Sequence, residues 1–165
     1  MNSLPNRKTL RLKDYDYSEN GAYFVTFCTK DRHSILGGVS IGSGHGLLDG
    51  SKMILSDKGK VLERVLLRTN EVYSYISLDT FVIMPNHVHM LISINGGPSG
   101  GTAPTAILPR YVGTVKRLVN RDLGENIWQR SFYEHIVRNE KDYQEIWEYI
   151  VNNPAHWTED RYYPG

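Results

Sequence analysis

The sequence predicts an α+β protein in which helices pack against an antiparallel sheet. Three observations carry this expectation. Runs rich in β-branched and aromatic residues alternate with runs of helical periodicity, in the order strand, helix, strand, strand, helix, strand, helix. The two consecutive strands are separated by the turn signal Pro85-Asn86. The chain also has 165 residues, 40% apolar and 22% charged, enough to bury one core of ordinary size and too apolar for a disordered chain.

Taken in order, Met1–Lys13 carries Arg7, Lys8, Arg11 and Lys13 without an acidic residue and reads as a flexible basic arm or a solvated terminus. Gly21–Lys30 alternates Tyr23, Val25 and Phe27 in a β-rich run, a strand buried on both faces. Gly37–Gly50 holds six glycines; its GSGHG at Gly42–Gly46 lacks the spacing, the Lys-Ser/Thr and the following helix of a phosphate loop, so a hairpin or loop is expected. Ser56 is placed to cap a helix to about Arg68, with Val61, Leu62, Val65 and Leu66 on one face and Gly59 weakening its first turn. Tyr75–Met84 and His87–Asn95 read as strands, and Gly96–Pro104 as a loop. A second helix should run from about Leu108 to Asp122 with Pro109 in its first turn, and Ile127–Val137 should be mostly extended. Asn139 caps a last helix ending near Asn153, before Pro154.

Composition narrows the function. Nineteen basic against 18 acidic side chains leave a net charge of +1, so any nucleic-acid surface must be local. The single cysteine, Cys28, excludes a disulfide framework and a Cys-based zinc module within this chain. No apolar run approaches the roughly 18 residues of a membrane span, and the N-terminus lacks a signal-peptide core. A soluble cytoplasmic protein with no membrane partner is expected, one domain over residues 1–165 with a basic arm at 1–20 and a core at 21–160.

The most informative stretch is Phe81–Ile94, FVIMPNHVHMLISI. Residues two apart on a strand share a face, so His87 and His89 project together, a geometry suited to a divalent metal or to two hydrogen-bonded structural histidines. Met84-Pro85-Asn86-His87-Val88-His89 closely resembles the histidine-hydrophobic-histidine signature of the single-tyrosine (HUH) transposases, in particular the REP-associated tyrosine transposases. Gly21–Thr26, Ile127–Arg130, Arg138–Glu140 and Tyr149–Pro154 match in the expected order, spanning roughly residues 20 to 160. The resemblance implies a ferredoxin-like antiparallel sheet and a nuclease and strand-transferase of single-stranded, hairpin-forming DNA. It also implies that the histidines hold Mg²⁺ or Mn²⁺, and that a tyrosine of the C-terminal helix attacks the phosphate to leave a 5′-phosphotyrosine and a free 3′-OH.

By that pattern the catalytic tyrosine precedes a Gln or Asn ligand by four residues, which makes Tyr149 the nucleophile and Asn153 the third metal ligand beside His87 and His89. Four residues on a helix place the two on one face, with Ile146, Trp147, Ile150 and Val151 available to dock it. Tyr143, the nearest competitor, lies about 120° away around the helix. His135 has three possible uses as ligand, proton shuttle or phosphate contact beside an ordinary structural role, whereas His33, His45 and His156 show no partner pattern.

For DNA binding, Arg110, Arg117 and Arg121 fall within about 40° of one another, opposite the apolar Leu108, Val112, Val115 and Val119. With Arg130 downstream, they are expected to contact phosphates, though a solvated face also explains them. Trp128, Tyr133 and Trp157 could stack bases or pack in the core. Glu140, Asp142, Glu145 and Glu148 make the last helix a poor DNA surface away from Tyr149. A DNA-binding protein that has lost transposition, or a replication-initiator-type relaxase, are the competing functions. The family pattern leaves open whether the protein is a monomer or a homodimer.

Overall fold

The computed structural model describes residues 21–41, 50–96 and 107–165. The basic arm, the GSGHG stretch with His45, and most of the Gly96–Pro104 loop lie outside the described residues. Six strands and three helices are present among the described residues: β1 (Gly21–Cys28), β2 (Gly37–Ser40), β3 (Lys52–Leu55), α1 (Asp57–Val72), β4 (Ile76–Met84), β5 (His87–Ile94), α2 (Ile107–Leu123), β6 (Tyr133–Val137) and α3 (Glu140–Asn152). Short 3₁₀ segments cover Lys30–Arg32 and Asn153–Glu159.

The main sheet has the order β4-β5-β1-β6, and every neighbouring pair is antiparallel. The path β1-α1-β4-β5-α2-β6 is the split βαβ arrangement of ferredoxin-like folds. The β2-β3 hairpin is inserted between β1 and α1, and α3 follows β6. The α+β architecture expected from the sequence is the one observed.

Local chemistry explains the element ends. Ser56 accepts a hydrogen bond from the Gly59 N–H and donates one to the Ile35 carbonyl, capping α1 and tying it to the preceding strand region. Gly59 weakens the helix in principle, but a Cβ there would stand 2.1 Å from the Leu36 carbonyl oxygen, so close approach requires glycine. Asn139 caps α3 through the Asp142 N–H. Pro154 does not simply end that helix: the chain tightens into the 3₁₀ segment and continues to Glu159.

The sheet's two faces have different duties. Tyr23, Val25 and Phe27 of β1 stand beside Ile92, Met90 and Val88 of β5, and all six join a core with Leu62 and Leu66 of α1 and Leu108, Val112, Val115 and Val119 of α2. Intervening residues form the other face, where Thr26 pairs with His89, Cys28 with His87 and Phe24 with His135. That second face carries α3 and the C-terminal segment. No described helix is long and apolar enough to cross a membrane.

Candidate metal and nucleophile site

The site begins at the Pro85-Asn86 turn. Asn86 is fully buried, and its Nδ2 donates to the carbonyls of Arg32, at 3.2 Å, and Tyr162, at 2.8 Å. Because both partners only accept, the amide nitrogen must face them and Oδ1 must face His87 Nδ1, 2.8 Å away. That oxygen likewise only accepts, so Nδ1 carries the hydrogen and the His87 Nε2 lone pair points into the site. A partner on the far ring nitrogen is the usual way a metal-ligating histidine is oriented.

His89 Nε2 lies 3.0 Å from His87 Nε2. Its Nδ1 is 2.6 Å from the hydroxyl of Thr26, which can donate or accept. Two imidazole lone pairs at this distance repel unless a proton or a cation lies between them. Burial first, then the Arg32 and Arg161 charges, push His87 down to about 3. Burial, the His87 ring and Arg161 hold His89 well below its ordinary range as well. Both rings are therefore neutral near pH 7, the form that binds metal.

A further candidate ligand is a residue that the sequence pattern does not single out. Asp160 Oδ2 stands 3.8 Å from His87 Nε2, and the ligand atoms of His87, His89 and Asp160 all lie within 4.8 Å of one another. This cluster could hold a metal ion. Its other oxygen accepts from the Tyr162 N–H. Among the described residues, Asp160 Oδ2 and Asn153 Oδ1 are buried acceptors with no hydrogen-bond partner. Buried acceptors are rarely left so, and a cation held by His87, His89 and Asp160 would satisfy the carboxylate oxygen. The donor set of two neutral nitrogens and a carboxylate fits a divalent ion.

Tyr149 brings its Oη to 3.3 Å from His89 Nε2 while its ring meets Phe24 edge-on. It is 44% exposed, so the hydroxyl is reachable. Burial and the Asp160 charge raise its pKa, with the Asn153 side chain and Arg161 pulling the other way, so the phenol is protonated at neutral pH. A cavity of about 550 Å³ opens beside it, lined in part by Asn153, Asp160 and Arg161.

Tyr143 is turned away, as its helical angle requires. Its hydroxyl donates to Asp79 Oδ2 at 3.0 Å, and burial with the Asp79 contact pushes it up to about 12. His135 pairs with Asp142 at 3.0 Å, a link between β6 and α3. His156 is exposed and pairs with Glu159, and His33 is exposed. Of the apolar residues expected to dock α3, Ile150 is buried, Ile146 and Trp147 are half-buried, and Val151 is exposed, because the helix rests on the sheet along a narrow line. Trp128 packs in the core against Phe27, Tyr133 contacts Phe24, and Trp157 lies 5.9 Å from the His87 ring.

The structure brings Tyr149, His87 and His89 together, with Asn153 buried alongside. It does not bring the expected arginines there. Arg110, Arg117 and Arg121 are exposed on α2, which packs on the opposite face of the sheet from the histidines, and Arg121 is engaged by Asp122. Arg130 is exposed in the loop before β6. The arginines whose charge reaches the histidines are Arg32 and Arg161.

No family model matches the chain. It is 32% identical over 179 aligned positions to an uncharacterized protein of Haemophilus influenzae, covering 97% of this chain and 94% of that protein. It is 22% identical over 139 positions to the REP-associated tyrosine transposase of Escherichia coli (strain K12), covering 84% of this chain and 69% of that one. Among solved structures, a REP-associated tyrosine transposase bound to a REP hairpin shares the fold, with a TM-score of 0.62 at 22% identity over 89% of this chain and 73% of that chain.

Proposed function

The chain belongs to the family of REP-associated tyrosine transposases, and on that footing we propose that it cleaves and rejoins hairpin-forming single-stranded DNA through a 5′-phosphotyrosine at Tyr149. The observation that carries this reading is the 3.3 Å approach of the Tyr149 hydroxyl to a buried pair of neutral histidines. His87 and His89, with Asp160 and Asn153, would hold a divalent cation such as Mg²⁺ or Mn²⁺, which draws charge from the phosphate. Asn86 keeps the His87 Nε2 lone pair directed into the site, and Thr26 lets His89 adopt the matching tautomer.

In the reaction, the Tyr149 Oη–phosphorus bond forms as the bond from phosphorus to the 3′ oxygen breaks. The phenolic proton passes to solvent and the departing oxygen takes up one, so charge and protons balance. The phosphotyrosine keeps the energy of the broken diester, and a 3′-OH can reverse the step without a nucleotide cofactor. Tyr149 meets histidines of its own chain, which supports action in cis by a monomer, although a homodimer would be compatible with it. Arg110, Arg117, Arg121 and Arg130 suit phosphates outside the cleaved linkage. Residues 1–165 read as one such domain, working in the cytoplasm.

The test is a denaturing gel of the protein with labelled single-stranded hairpin DNA and Mn²⁺. A covalent adduct is expected from the wild type and none from Tyr149→Phe, with DNA binding retained. An adduct in Tyr149→Phe would reject the assignment.

A further inference from the structure

Two arginines from distant parts of the chain meet at the mouth of this site. The guanidinium groups of Arg32 and Arg161 lie 5.2 and 4.9 Å from the centre of the Tyr162 ring, which itself is 4.4 Å from that of His87. Both residues are exposed, and among the described residues neither has a carboxylate within ion-pair distance. Arg121, by contrast, is occupied by Asp122.

Their placement is specified by the backbone. Asp31 and Arg32 have φ of 54° and 55°, in the left-handed region that side-chain-bearing residues avoid. The Arg32 carbonyl is held there by Asn86, and the same amide holds the Tyr162 carbonyl next to Arg161. One buried side chain thus orients His87 and anchors both arginine-bearing segments.

The electrostatics ask for a further component. Two guanidinium groups with no carboxylate partner among the described residues, set beside a cluster suited to a cation, disfavour that cation unless an anion binds with it. A divalent cation, the Asp160 carboxylate and one phosphodiester sum to zero, and attack by the Tyr149 oxygen as its proton leaves for solvent adds a negative charge that the arginines are placed to meet. We propose that Arg32 and Arg161 form a clamp for the phosphodiester to be cleaved, gripping its non-bridging oxygens beside His87 and His89. The proposal rests on the strand-cleaving reading above and adds residues on the other side of the sheet from the α2 arginines.

The experiment compares the full-length wild type with Arg32→Ala, Arg161→Ala, the double alanine variant and the double lysine variant. Binding to a fluorescent single-stranded hairpin oligonucleotide is followed against salt in EDTA, which removes any effect through metal. Adduct formation is timed separately in Mn²⁺, and thermal melts check folding. Each alanine should lower the slope of log affinity against log salt by about 0.7. The double alanine variant should form adduct about 100-fold more slowly. The lysine pair should keep the slope and recover only part of the rate, because lysine lacks the two-pronged fork. A folded double alanine variant with wild-type slope and rate overturns the clamp and leaves the cleavage reading standing. Wild type that forms no adduct, yet binds with a slope the alanines lower, overturns the cleavage reading and keeps the clamp as a phosphate site. A wild type that binds no single strand overturns both.

Discussion

Acid should destabilise the metal-free protein through His87 before it reaches the carboxylates. In an unfolded chain this imidazole titrates near 6.5, whereas burial and the Arg32 and Arg161 charges put it at about 3 in the fold. Between those values the unfolded chain holds a proton that the folded one lacks, so stability is complete above pH 6.5 and is lost as pH falls toward 3. At pH 5 the loss from His87 alone is about 2 kcal/mol. His89, also held low, adds in the same direction. The groups facing these rings act in opposite senses: Asp160 favours the proton, while both arginines oppose it. The assay is urea unfolding in EDTA at pH 7.5, 6 and 5, followed by tryptophan fluorescence, for wild type and His87→Gln. Comparing the two proteins cancels the shared carboxylates. The wild type should lose about 2 kcal/mol more than the variant between pH 7.5 and 5. Equal losses in both would mean that His87 is not buried neutral, and the metal-ready tautomer would go with it.

Asp160→Asn should weaken Mn²⁺ binding at least about tenfold by calorimetry, because the amide carries no charge to the cation; unchanged affinity would remove Asp160 from the ligand set. Asn86→Ala removes the acceptor that sets the His87 tautomer and two anchoring hydrogen bonds, and should lower metal affinity about 10- to 100-fold in the same titration. Tyr143→Phe should lower unfolding free energy by about 1.5 kcal/mol through loss of its bond to Asp79, while still forming the covalent adduct on a denaturing gel.

Much of the fold was legible because its periodicities are strong. The alternation of Tyr23, Val25 and Phe27 and the polar-apolar split of α2 each have one physical solution, and both are observed. The paired histidines were legible for the same reason, since β-strand geometry leaves them no choice but to share a face. Asp160 was not. It follows a proline that reads as a stop, stands beside Glu159, and gains its meaning only when the 3₁₀ segment carries it back to His87. Arg32 was hidden similarly, because its position depends on two consecutive left-handed residues that no side-chain pattern announces. The α2 arginines were easy to see as a stripe, yet a stripe does not tell which face of the sheet its helix will cover.

The arrangement also bears on the alternative of a protein that only binds DNA. Such a protein has no use for the cost of this site. Two acceptor oxygens, Asp160 Oδ2 and Asn153 Oδ1, are buried without a partner among the described residues. Each unpaired acceptor costs on the order of 1–3 kcal/mol, and more where it is charged. Apolar side chains of similar volume at these positions would make a more stable support for a DNA-binding surface. A cation bound by His87, His89 and Asp160 would remove the penalty on the carboxylate oxygen, and the hydroxyl of Tyr149 stands 3.3 Å from His89 Nε2. Under the strand-cleaving reading proposed above, the cation-filled state of this site would be its working state, with the Tyr149 hydroxyl in reach.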